Sequence, residues 1–208
     1  MGTLYDILGQ LSVVLLFIAL ILGIVKFGVF TKNEKWYIYY IIFIAFIESN
    51  SYVFFPLLGI KSIMFLYPVY IAGEFFTVTG IFIKKLNLSK KYFIATGLLS
   101  LFFLTADRIL AQHQYNNDYS KAISNIIMIS MISYSLIQDI KNVKTKSPFQ
   151  LNDKMFFLYF TVSIFMFLIQ NQLIFLSKDQ FATVWVINNL LVCIVYALLI
   201  KTFLQLKK

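Results

Sequence analysis

Long apolar runs separated by short polar stretches carry most of the information in this chain. Runs at about 4–29, 36–56, 63–84, 91–107, 120–141, 155–176 and 181–204 each hold on the order of 20 residues, the length of helix that crosses a bilayer's hydrocarbon core. The pattern predicts an all-α polytopic membrane protein with seven transmembrane helices, residues 1–208 forming one transmembrane domain. Tyr5, Trp36, Tyr67, Tyr92 and Trp185 fall near the ends of runs, as an aromatic belt at the membrane–water boundary requires. The first run lacks a basic leading segment and a small-residue cleavage site, so it is expected to be a retained span.

The polar stretches alternate in charge. Lys26, Lys32 and Lys35 flank the first connection, and Lys84, Lys85, Lys90 and Lys91 the third. Lys141, Lys144, Lys146 and Lys154 belong to the fifth, with Lys201, Lys207 and Lys208 at the C-terminal end. That places 14 of the 18 basic residues on one side and leaves Lys61, Arg108, Lys121 and Lys178 for the other. Because basic residues in short loops stay on the cytoplasmic face, the N-terminus is expected outside and the C-terminus inside. The expected location is the cell membrane, the cytoplasmic membrane of a bacterium.

Composition supports the same class: 60% of residues are hydrophobic and 18% aromatic, with a mean hydropathy of +0.81. The net charge of +9 is therefore a membrane-side lysine bias, suited to anionic headgroups, and no nucleic-acid partner is expected. The single cysteine, Cys193, sits inside an apolar run, which excludes an internal disulfide and a cysteine-based metal site.

An internal repeat is also legible. Residues 33–40 align with 152–159, and Glu48-Ser49-Asn50 has a counterpart in Gln170-Asn171-Gln172. Spans 1–3 would recur as spans 5–7, giving repeats at 1–85 and 119–208 joined by a linker helix at 91–107. Such a 3+1+3 order leaves the two halves parallel.

Chemistry inside a bilayer must come from polar groups, which are costly there unless paired or hydrated. At a rise of about 1.5 Å per residue, Glu48 lies roughly 18 Å from the inner end of its span and Glu74 roughly 16 Å from the outer end of its own, so both sit near the middle. Tyr67, Tyr70, Glu74 and Thr77 form one stripe at helical spacing, and Glu48 shares a face with Ser51 and Tyr52. Further stripes run Thr96-Ser100-Phe103-Asp107, Tyr159-Ser163-Met166-Gln170 and Trp185-Asn189-Cys193-Tyr196. If they converge they build a polar pocket that opens outward above an apolar floor. Its expected lining is Glu48, Tyr52, Tyr67, Tyr70, Glu74, Gln170, Trp185 and Asn189. Plainer roles compete: Asn125 is expected to link two helices, Asp107 to pair locally with Arg108, and Glu74 to be a neutral carboxyl bonded to a tyrosine.

Residue supply removes several chemistries. His113 is the only histidine, too few for a histidine-ligated zinc site, and no metal or cofactor is expected. Lys201 lies at the inner end of its span, not midway where a retinal Schiff base would need it. No Gly-x-Ser-x-Gly elbow or glycine-rich phosphate loop is present. With its paired intramembrane acids the chain resembles the lysoplasmalogenase type of multi-span enzyme, whose aspartates are glutamates here. In its 3+1+3 layout it resembles the seven-span sugar-efflux and nicotinamide-riboside transporters. It departs from their proline-bent helices, because Pro68 is the one proline well inside a span and no glycine follows Gly97. The whole-chain layout is similar to small seven-span bacterial membrane proteins and to the sensory membrane regions of some histidine kinases. That layout and the fixed outward pocket imply a membrane sensor or accessory protein ahead of an enzyme. It is expected to bind a small polar or lipid-like ligand and to act through a membrane or cytoplasmic protein partner. A small-solute transporter stands second and a lipid-modifying enzyme using the paired glutamates third.

Overall fold

The computed structural model describes residues 2–51, 57–59, 64–110, 117–141, 147–168 and 178–206. Seven helices are present among them: α1 Gly2–Val25, α2 Lys35–Ser49, α3 Leu66–Lys85, α4 Lys90–Ile109, α5 Asn117–Lys141, α6 Gln150–Leu168 and α7 Lys178–Gln205. All but α2 and α6 are, by length and composition, long and apolar enough to cross a membrane. Large apolar side chains remain uncovered on α1 at Leu4, Ile7, Leu11, Val14, Ile18 and Ile21, while Leu16 and Ala19 are buried. The alternating steps of three and four residues make one continuous aliphatic stripe, a face that only lipid or another apolar surface covers without penalty. These helices suit a bilayer environment.

Packing divides the chain into two compact units. One comprises residues 1–29 and 125–208, the other 30–124, with the boundary inside α5. In the first unit α1 and α6 both pack against α7. Phe149 meets Phe203 edge-on, and Phe156, Tyr159 and Phe160 stack along α6. The Asn125 amide donates to Ser163 Oγ at 3.1 Å, and the Asn152 amide to Thr202 Oγ1 at 2.8 Å. Asn125 thus makes the interhelical link expected of it.

Helix α6 begins before the apolar run from 155. Ser147 Oγ accepts the Phe149 N–H, and the Asp153 N–H bonds back to the Phe149 carbonyl, so the turn begun beside Pro148 carries polar residues into the helix. Asn152 and Asp153 are consequently buried and not part of a connection.

A charged cap closes the same unit. The Lys26 ammonium donates to the carbonyls of Leu204 and Leu206 at 2.9 and 3.0 Å. These carbonyls carry the negative end of the α7 dipole, and a cation there is favourable. Lys26→Met should lower stability by about 1–2 kcal/mol and speed amide exchange over residues 203–206. Unchanged exchange there would show that the cap contributes nothing.

In the second unit α3 packs on α2 and α4. A reciprocal pair opens α2: Glu34 Oε2 accepts the Thr31 N–H at 2.9 Å while Thr31 Oγ1 accepts the Glu34 N–H at 3.4 Å, satisfying two N-terminal donors at once. Helices α3 and α4 join through a tight turn. Leu88 N–H bonds to the Ile83 carbonyl and Asn87 N–H to that of Lys84, with Asn87 in the left-handed region at φ 51°, a conformation asparagine tolerates. The turn gathers Lys84, Lys85, Lys90 and Lys91 at one end of the unit. At Gly73 and Gly80, two turns apart on α3, the Phe43 and Trp36 rings of α2 press onto bare backbone. Phe75 and Phe103 meet edge-on at 5.2 Å to join α3 and α4.

Candidate functional site

The expected stripe on α3 leads to a buried charge cluster. Tyr67 and Tyr70 stack with ring centroids 6.4 Å apart, and the Tyr70 hydroxyl donates to Glu74 Oε1 at 2.7 Å. Opposite them, in the second turn of α5, stands Lys121. Its ammonium is ion-paired with Glu74 Oε2, donates to the Tyr70 hydroxyl at 3.4 Å, and lies 4.5 Å from the centre of the Tyr70 ring. Both charged side chains are only 1% exposed. Tyr70 therefore serves both partners, accepting from one and donating to the other, so the charges are held in a polar network inside the unit.

Lys121 corrects the sequence reading. It is not a charge of an outer connection but a core residue, because the Lys121-Ser124-Asn125-Met128-Ile132 face of α5 turns inward. The alkyl stem reaches toward the carboxylate instead of extending to water. Without Lys121 the basic residues divide 14 to 3, which sharpens the lysine asymmetry. Thr77, the last member of the α3 stripe, bonds its own helix at the Gly73 and Glu74 carbonyls, as do Thr96 and Ser100 on α4. These hydroxyls satisfy carbonyls of their own helices.

Next to the Tyr67 end of this cluster lies a cleft of about 550 Å³. Its apolar wall is Met64, Phe65, Pro68, Val69 and Leu104, and its polar members are Tyr67, Asp107, Arg108 and Asn117. The Tyr67 hydroxyl reaches Asp118 Oδ1 at 3.4 Å, tying the wall to the first turn of α5. Asp107 does not form the ion pair expected with Arg108. Its Oδ1 accepts the backbone N–H of Arg108 at 2.9 Å and its Oδ2 the Asn117 amide at 3.4 Å. Consecutive residues on a helix point about 100° apart, and the carboxylate turns toward α5.

Tyr67, Tyr70 and Glu74 are thus brought together. Glu48 is part-buried on α2 of the same unit. Trp185 and Asn189 belong to α7 of the other unit, where Trp185 meets Phe167 edge-on and the Asn189 amide reaches the Tyr5 carbonyl at 3.5 Å. Tyr52 and Gln170 lie outside the described residues. Sequence reasoning missed Lys121, Asp118 and Asn117 as site members. The available signal was helical spacing: Asn117, Lys121 and Ser124 follow i, i+4, i+7 at the start of α5.

Fold and site together define the class as an all-helical protein with apolar helices fit for a bilayer and an ionised cluster beside a cleft. Comparison with protein-family models, curated proteins and solved structures finds no match for this chain.

Proposed function

We propose that this chain is a seven-span integral membrane sensor or accessory protein. In this reading it sits in the bacterial cytoplasmic membrane with its N-terminus outside, binds a small polar or lipid-like ligand in the cleft beside Tyr67, and signals through a protein partner. The observation that carries the reading is the Glu74–Lys121 pair with its Tyr70 bridge. A buried ion pair is a poor stabiliser compared with apolar residues of the same volume, and ionisable groups inside a membrane usually belong to a working site. Ligand contact with Tyr67 or Asp118 bears on the neighbouring α3–α5 contact, and a rearranged ion pair there is a change that a partner helix can sense. The lysine asymmetry supports an outer position for the cleft. The parallel 3+1+3 repeat remains part of the proposal on the strength of its alignment.

Two measurements test this. In a Cys193→Ala background, a membrane-impermeant maleimide should label Asn117→Cys in intact cells and Asn87→Cys only after permeabilisation. Labelling of Asn87→Cys in intact cells would reverse the orientation and the outward cleft. Proteoliposomes should also take up sugars, nucleosides and amino acids no faster than empty vesicles. Saturable, Glu74-dependent uptake would replace the sensor reading with a transporter.

A further inference from the structure

The cleft carries polar groups of both signs, with Arg108 exposed to solvent and Asp107 and Asn117 part-buried. The Arg108 guanidinium makes no side-chain hydrogen bond or ion pair among the described residues, since its neighbouring carboxylate is turned toward Asn117. Asn117 gives its amide hydrogens to that carboxylate while its Oδ1 is buried without a donor. An anion alone would satisfy Arg108 but bring negative charge beside Asp107. A cation alone would satisfy Asp107 and Asn117 Oδ1 but meet Arg108. Like charges brought together at one site oppose binding. Resting on the reading of this cleft as a ligand site, we infer that its ligand is an amphipathic zwitterion. Its anionic group lies against Arg108, its ammonium against Asp107 and Asn117 Oδ1, and its apolar portion along Met64, Phe65 and Leu104. A volume of about 550 Å³ falls within the range of small-molecule pockets. The same chemistry occurs in an aminophospholipid headgroup with its glycerol and first acyl carbons, and in a free zwitterionic metabolite.

The test uses the purified full chain in a maltoside detergent, with binding read by native mass spectrometry and intrinsic fluorescence. The probes are lysophosphatidylethanolamine (zwitterion with a chain), O-phosphoethanolamine (free zwitterion), lysophosphatidic acid (anion with a chain) and dodecylamine (cation with a chain). Lysophosphatidylethanolamine should bind saturably and at least ~10-fold more tightly than either singly charged amphiphile. Arg108→Gln should weaken the zwitterion and lysophosphatidic acid but spare dodecylamine, and Asp107→Asn should do the reverse for the two singly charged probes. Leu104→Trp, which fills the cleft, should block all three chains, and this arm stands even if Asp107→Asn fails to fold. Competition by O-phosphoethanolamine supports a free metabolite, and its failure to compete supports a lipid headgroup. Equal affinity for lysophosphatidic acid and the zwitterion, with Asp107→Asn without effect, overturns the inference, as does binding indifferent to Leu104→Trp. Those results leave the sensor reading intact, because it falls on inside labelling or on flux, whereas Arg108-dependent zwitterion uptake would remove the sensor role and keep the ligand class.

Discussion

Lys121→Met and Glu74→Gln should each destabilise the protein by about 3–5 kcal/mol, because each leaves one charge buried and unpaired. The double variant should recover most of that loss. Its Glu74→Gln change keeps an acceptor for the Tyr70 hydroxyl, its Lys121→Met change keeps the volume of the lysine stem, and neither charge then remains buried in the core. Reversible unfolding in mixed micelles gives the four corners of a double-mutant cycle, whose coupling energy isolates the pair. Single variants within about 1 kcal/mol of the parent, or strictly additive losses, would show that Glu74 and Lys121 do not meet as a buried ion pair. Tyr70→Phe should fall between these limits. It removes a hydroxyl bonded to both charges but retains the ring face beneath the ammonium, a contact worth about 0.5–2 kcal/mol.

The second large effect is expected where α2 crosses α3. A Cβ on Gly80 would overlap the Trp36 ring, and that ring is hemmed by Tyr39, Phe76 and Phe93 at centroid distances of 5.6, 5.9 and 5.3 Å. It has little room to yield, so Gly80→Ala should cost about 1–3 kcal/mol as overpacking. Gly73→Ala should behave alike against Phe43. Gly97 provides the control, because a Cβ there meets only the Phe76 ring at 4.0 Å. Gly97→Ala should gain up to about 1 kcal/mol from helix propensity. Adding Trp36→Leu should lessen the Gly80→Ala penalty by vacating the contested space. A Gly80→Ala variant as stable as the parent, measured by the same unfolding assay, would show that α2 and α3 approach less closely than the structure places them.

Much of the architecture was legible along the chain because a bilayer simplifies the code. An apolar run inside a bilayer has to close its own backbone hydrogen bonds, so a helix is the available form for it. Each of the seven described helices coincides with one of the apolar runs, and α6 is the one that starts earliest relative to its run. The Tyr67-Tyr70-Glu74 grouping was likewise visible, since residues three and four apart share a helix face whatever packs against them.

What the sequence by itself determined is therefore local: helix positions, the faces that carry polar groups, and the lysine asymmetry. Partner choice was decided only in the tertiary structure. Lys121 sits one residue inside the run from 120, where a basic residue is equally readable as a boundary charge. Its pairing with Glu74 exists because the inward face of α5 meets the Tyr70 side of α3. Asp107 and Arg108 are adjacent in the chain yet do not pair, since helical geometry separates their directions and α5 supplies Asn117. Periodicity states which side of a helix is polar, but the identity of the opposing helix depends on contacts such as Gly80 against Trp36, which arise from shape and not from any repeat along the chain.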